Sequence, residues 1–192
     1  MFNKGCKGEF LIFKALEKLP GYKKILANLY VPKTDGSTTE IDLVLVNSTG
    51  IYVIESKNLN GVISGHEKEI MWTQSFGGGR KYKFYNPFLQ NLGHINALKR
   101  ILGKERQGLF SCIVFGSQSC FNKVLTSSSD AIITNRGNLR NRLTKELQNR
   151  PKVFSKAEID ETGAILEKYA HADKATKQMH RKLLKKQFPA QV

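Results

Sequence analysis

Acidic residues are scarce in this chain of 192 residues. Its 16 Asp and Glu stand against 31 Lys and Arg, a formal net charge of +15 with an isoelectric point near 9.8. Such a field attracts polyanions and is the expected footprint of a nucleic-acid binder, although composition alone leaves an anionic lipid surface open. Cysteine is nearly absent: Cys6, Cys112 and Cys120 are odd in number and lack zinc-ligand spacing, which predicts reduced thiols. No apolar run approaches the roughly 20 residues of a membrane span, and the segment Met1 to Phe10 lacks the apolar stretch of a secretory leader. A cytoplasmic protein with no membrane association is expected. Gly77-Gly78-Gly79-Arg80 has neither the spacing nor the Lys-Ser or Lys-Thr of a nucleotide-binding loop, so it is read as a hairpin tip.

What is present is an ordinary globular composition, 40% hydrophobic and 24% charged, in a chain long enough for one domain with a sizeable core plus an appendage. Its organising stretch is Glu40 to Lys57. Two runs rich in Val, Ile and Leu flank Asn47-Ser48-Thr49-Gly50, the pattern of an antiparallel hairpin. A symmetric turn pairs residues whose numbers sum to 97, so Asp42 faces Glu55 and Glu40 faces Lys57. Opposed side chains share a face with Cβ atoms roughly 4.5–5.5 Å apart.

This arrangement is costly. Asp42 continues the stripe of Val44 and Val46, while Glu55 and Lys57 continue that of Ile51 and Val53. Like charges opposed across a strand pair repel, so something cationic is expected between the carboxylates. A hard divalent ion such as Mg²⁺ takes one or two protein carboxylates and fills its other positions with water and substrate phosphate. The bland alternative is a solvated edge with a weak Glu40–Lys57 ion pair, but the strands are too apolar on both faces for an open edge. A divalent ion between Asp42 and Glu55 is therefore expected, with Glu40 opposite Lys57 placed to hold its ammonium.

Asp42, then a strand and a turn, then Glu55-Ser56-Lys57 resembles the PD-(D/E)XK nuclease superfamily. The wider pattern is similar to the nuclease-related domain (NERD) family. Lys7-Gly8-Glu9, Thr39-Glu40-Ile41-Asp42, Gly50 to Asn58, and Asn86-Pro87-Phe88-Leu89-Gln90 occur in the expected order over roughly the first 115 residues. The resemblance implies an α/β restriction-endonuclease-like core, a central mixed sheet flanked by helices. It also implies a nuclease dependent on Mg²⁺ or Mn²⁺ in which Glu9 approaches the metal opposite the hairpin, Lys57 orients water and stabilises developing charge, and Gln90 belongs to the catalytic set. Glu9 shares a helical stripe with Phe13 and Leu16, and a core-facing acid needs a partner. His94, four residues after Gln90, could point the same way, though a solitary helical histidine is usually structural.

The remaining elements are coarser. A helix is expected from about Gly5 to Leu19. Strands are expected at Ile25–Val31, Val62–Ser64, Ile70–Gln74, Lys81–Tyr85, Leu109–Phe115 and Ala131–Thr134, with Pro87 opening a helix. Arg80, Lys81 and Lys83 interleave with Trp72, Phe76, Tyr82, Phe84 and Tyr85. Such a mixture suits stacking on bases, although packing of a sheet is the commoner explanation. A nuclease core over residues 1–135 and a basic helical extension over 136–192 are expected, the latter holding 14 Lys and Arg against 6 Asp and Glu. Helices are expected at Asn138–Gln148, after the capping box at Ser155, and from Ala172 to Phe188. The last carries Arg181, Lys182, Lys185 and Lys186 around one apolar stripe. It could track phosphates, lie on a membrane or simply dock.

Nucleic acid is therefore the expected partner, DNA favoured over RNA, and a homodimer is the default for cutting both strands. Two other classes stay open: a non-catalytic nucleic-acid-binding module, and a membrane or protein-interaction domain using the last helix.

Overall fold

The Glu40–Lys57 segment forms the expected hairpin. In the computed structural model, which describes residues 4–103, 107–125 and 131–170, strand β2 (Thr38–Asn47) pairs antiparallel with β3 (Gly50–Lys57). The register runs from Asn47↔Gly50 to Leu43↔Ile54, the pairing predicted by the turn. Gly50 is required at its corner. It has φ +145°, and a Cβ there would lie 2.5 Å from the Gly108 carbonyl oxygen.

Strand β1 (Lys23–Pro32) flanks β2 antiparallel, whereas β7 (Leu109–Phe115) and β9 (Ala131–Asn135) extend β3 in parallel. The order is β1-β2-β3-β7-β9. Both faces of this mixed sheet are covered, which explains why its central strands are near-continuous apolar runs. On one face, Ile12 and Leu16 of α1 (Lys4–Glu17) and Leu139 and Leu143 of α3 (Leu139–Asn149) pack on Leu43, Leu45, Tyr52 and Ile54. On the other, Ile95 and Leu98 of α2 (Pro87–Leu102) and Ile159 and Leu166 of α4 (Lys156–Glu167) cover Val44, Val46, Ile51 and Val53.

A smaller sheet has the order β6-β5-β4-β8, built from β4 (Gly61–His66), β5 (Met71–Ser75), β6 (Lys81–Tyr85) and β8 (Ser119–Leu125). Its Ile63 and Trp72 join Ile113 and Phe115 of the main sheet in a third buried cluster. The alternation of β5 and β6 therefore packs Trp72 and Phe84 inward, as sheet aromatics commonly do.

Within the described residues, packing is continuous across position 135, because α3 and α4 contribute to the two clusters that the earlier strands build. The backbone agrees: Tyr30 N donates to Tyr169 O at 2.9 Å, and Val153 N donates to Ser48 O at 2.7 Å. Ser155 and Glu158 form the predicted capping box at the start of α4. The expected helix from Ala172 to Phe188 lies outside the described residues. No helix among the described residues is long and apolar enough to cross a membrane.

Candidate active site

Side-chain alternation in β2 and β3 sends Asp42, Glu55 and Lys57 toward the face covered by α2. Asn86 sets where α2 begins. Its Oδ1 accepts from Phe88 N at 2.8 Å, while its Nδ2 donates to the carbonyls of Glu67 and Glu69 at 2.9 and 2.7 Å. This buried cap, with Pro87 at the first helical position, fixes the turn from which Gln90 and His94 project. Lys57 Nζ donates to Gln90 Oε1 at 2.7 Å and lies 2.9 Å from Glu55 Oε1. His94 Nε2 lies 3.0 Å from Glu55 Oε2, and His94 Nδ1 lies 2.8 Å from Thr39 Oγ1. Both oxygens of the buried Glu55 thus have partners.

The hairpin ladder ends at Leu43↔Ile54, and the reason is Asp42. Its Oδ2 accepts the Ser56 backbone N–H at 2.8 Å, so a carboxylate replaces the next ladder bond. Strand β3 continues instead beside β7, with Lys57 opposite Phe115. The expected pairing of Glu40 with Lys57 is therefore not made. Lys57 is held by Glu55 and Gln90, and Glu40 accepts from the hydroxyl of its cross-strand neighbour Tyr30 at 2.6 Å.

Charge is distributed unevenly. Burial pushes the Asp42 carboxyl well above the usual range and Glu55 adds to this. The Ser56 N–H opposes the rise, Glu9 adds to it, and Lys57 opposes it. Burial would also raise Glu55, but Lys57 and His94 outweigh it and hold its pKa at about 2. Glu9, on α1 across the sheet, is raised by burial and then by Glu40 and Glu55. Glu9, Asp42 and Glu55 thus share one electrostatic neighbourhood, in which Glu55 makes both of the others harder to ionise.

This mutual opposition of carboxylates bears on the fit of a metal. Among the described residues no three His, Cys, Asp or Glu side chains form a ready-made cage. Mg²⁺ needs only one or two carboxylates, and each carboxylate oxygen keeps a lone pair beyond the bonds described. Asp42 and Glu55 fit that demand.

The other candidate residues lie elsewhere. Lys81 and Lys83 stand opposite Ser75 and Thr73 on the small sheet, and Arg80 is at its hairpin tip, all three exposed. Phe76 and Tyr82 form an exposed edge-to-face pair beside them. Arg181, Lys182, Lys185 and Lys186 lie outside the described residues.

The sequence sign of the place of His94 beside Glu55 is its i, i+4 spacing from Gln90, whereas no local pattern marks Asn28. This residue has φ +54°, the single non-glycine residue with positive φ among those described, and it lies in β1 between the ladder pairs Ala27↔Leu43 and Leu29↔Ile41, which flank Asp42 in β2. The fold and this hairpin-and-helix constellation define a restriction-endonuclease-like α/β protein.

The chain belongs to the nuclease-related domain family, which matches residues 4–116 and is assigned to the PD-(D/E)XK superfamily. An uncharacterized protein of Bacillus anthracis is 40% identical over 103 residues, covering 53% of this chain and 48% of the relative. The chain thus spans about half the length of that relative.

Proposed function

We propose that this protein is a metal-dependent nuclease that hydrolyses phosphodiester bonds, DNA being the favoured substrate. The observation that carries this is the buried Asp42, holding the Ser56 N–H within the electrostatic reach of Glu55, beside a lysine clamped by Glu55 and Gln90 where β2 and β3 part. Asp42 and Glu55 would hold Mg²⁺ or Mn²⁺, with Glu9 approaching from α1 and the Ser56 carbonyl as a further oxygen donor. Such an ion polarises a phosphoryl oxygen and lowers the pKa of bound water.

The chain's own residues do the rest. Ionised Glu55 only accepts hydrogen bonds, so His94 must donate from Nε2, and the carboxylate is fixed in its plane. Gln90 and Glu55 point the Lys57 ammonium at the reaction centre, where it orients the attacking water and offsets charge that grows on the phosphate in the transition state. Arg80, Lys81 and Lys83 supply sequence-independent attraction for the strand.

The test is cleavage of labelled single- and double-stranded DNA and RNA, linear and circular, with Mg²⁺, Mn²⁺ or EDTA, beside Glu55→Ala. Metal-dependent products that vanish in the variant are expected. Binding without cleavage under every metal would sink the enzyme reading in favour of a non-catalytic binding module.

A further inference from the structure

The parallel strands β3, β7 and β9 end side by side, and chain ends of this kind are where α/β sheets commonly bind ligands. Arg136 is the first residue after β9. Its backbone N–H donates at 2.9 Å to the carbonyl of Phe115, the ladder neighbour of Lys57. The turn that carries it is fixed, since Asn135 Nδ2 donates to Ser119 O at 3.2 Å and Asn135 Oδ1 accepts from Asn138 N at 3.0 Å.

From there the side chain reaches the second turn of α1. A methyl group added at Gly8 would lie 3.7 Å from Arg136 Nη1 and 3.8 Å from Asn58 Cβ. Gly8 adjoins Glu9 and Asn58 adjoins Lys57, so the guanidinium stands beside two backbone segments that carry residues of the carboxylate–lysine centre. Its side-chain hydrogen bond is a long one, from Nη2 to Ser117 Oγ at 3.4 Å, and among the described residues it forms no ion pair. A half-exposed guanidinium with five N–H donors and no carboxylate partner among the described residues is prepared for an anion, and its planar fork matches phosphate oxygens.

We propose that Arg136 binds a non-bridging phosphate oxygen of the nucleic-acid strand lying across the Asp42–Glu55–Lys57 centre, an inference that rests on the nuclease reading above. Arg136 lies beyond residues 4–116, so the segment after the family match completes the substrate site in this chain.

The experiment compares full-length wild type, Arg136→Ala, Arg136→Lys and Lys99→Ala. The last removes an exposed lysine near the far end of α2 and serves as a charge control. Binding of labelled DNA and RNA oligonucleotides is followed by fluorescence anisotropy in EDTA at several salt concentrations, and cleavage is followed with Mg²⁺ or Mn²⁺. Arg136→Ala is expected to weaken binding about tenfold, to lower the salt slope by about one, and to raise KM with little change in kcat. Arg136→Lys should recover part of the loss, and Lys99→Ala should keep the wild-type slope. Unchanged melting temperatures would show that the variants fold.

Equal affinity, salt slope and KM in wild type and Arg136→Ala would overturn the assignment while leaving the nuclease reading intact. Arg136-dependent binding without cleavage would support the assignment and defeat the nuclease reading. Absence of nucleic-acid binding by the wild type would overturn both.

Discussion

His94 Nε2 lies 3.0 Å from Glu55 Oε2, while the opposite ring nitrogen meets Thr39 Oγ1 at 2.8 Å. Glu55 is the central acceptor of the site, and His94 fixes one of its two oxygens. His94→Ala should therefore lower cleavage by about 10–100-fold through disorder of Glu55 rather than loss of a reacting group. His94→Gln, which keeps a donor near the Nε2 position, should recover part of that loss. Parallel kcat and melting measurements check this, because a purely structural histidine would lower the melting temperature without selective rescue by Gln.

The hairpin was legible because its information is local. Apolar strands, a four-residue turn and one register rule place Leu43 opposite Ile54 without knowledge of any other element. Extending the same rule to Glu40 and Lys57 failed, because Asp42 takes the Ser56 N–H and β3 turns to a partner more than fifty residues away in sequence. The start of α2 at Asn86-Pro87 was legible for the same reason as the turn, whereas the grip of Asn86 on the Glu67 and Glu69 carbonyls is tertiary. The partners of His94 depend on how α2 packs on the hairpin, and the position of Arg136 on parallel pairing between distant strands; local periodicity reports neither. Strand β8 escaped detection because Ser119 to Leu125 mixes polar and apolar residues and pairs parallel with the distant β4.

Asp42 provides a test by pH. Its carboxyl is raised by burial first and by Glu55 next, so the folded protein holds this proton more tightly than the unfolded chain does. The associated stability is fully present below the ordinary carboxylate pKa, near 3.9, and is lost as pH rises through the raised folded value. Asp42→Asn, which removes the charge, should raise the melting temperature at pH 7–8 in EDTA and abolish metal-dependent cleavage.

A cation competes with the same proton. Mg²⁺ or Mn²⁺ should stabilise the wild type more at pH 8 than at pH 5.5, with proton release on binding, and should have little effect on Asp42→Asn. Thermal melts and calorimetry in two buffers of different ionisation heat check both statements. Metal stabilisation that is independent of pH would contradict the proposed role of Asp42.

Glu55 behaves in the opposite sense. Burial pushes its pKa up, but Lys57 and His94 prevail and bring it to about 2, so its stabilising charge is present above the ordinary carboxylate range and is lost as pH falls toward 2. Glu55→Ala leaves the Lys57 ammonium and the His94 ring without their shared acceptor. A loss of about 3 kcal/mol at pH 7 is expected from urea unfolding, together with loss of cleavage.

Lys57 and Gln90 should act as a unit. Gln90 Oε1 accepts from the ammonium at 2.7 Å, so Gln90→Ala frees the lysine without removing its charge. A kcat loss of roughly 10–100-fold with little change in KM is expected, whereas Lys57→Ala should lose more. The double variant should be little worse than Lys57→Ala alone, because the glutamine acts through the lysine. Additive losses would show that Gln90 works independently, for example on the phosphate itself.

Asn28 joins backbone conformation to the same centre. The β1–β2 register passes from Ala27↔Leu43 to Leu29↔Ile41, and Asn28, at φ +54°, lies between these pairs, which flank Asp42 in β2. Left-handed backbone costs most residues roughly 1–2 kcal/mol, asparagine less, and glycine almost nothing. Asn28→Gly should therefore keep or slightly raise stability. Asn28→Val places a β-branched side chain at positive φ and should lower the melting temperature by a few degrees, about 2–4 °C per kcal/mol for a chain of this size. The functional effect separates from stability when cleavage is measured well below both melting points. If the local twist of β1 positions Asp42, Asn28→Gly retains kcat and Asn28→Val loses it even while folded; equal kcat in both variants would assign the strained residue to the fold alone.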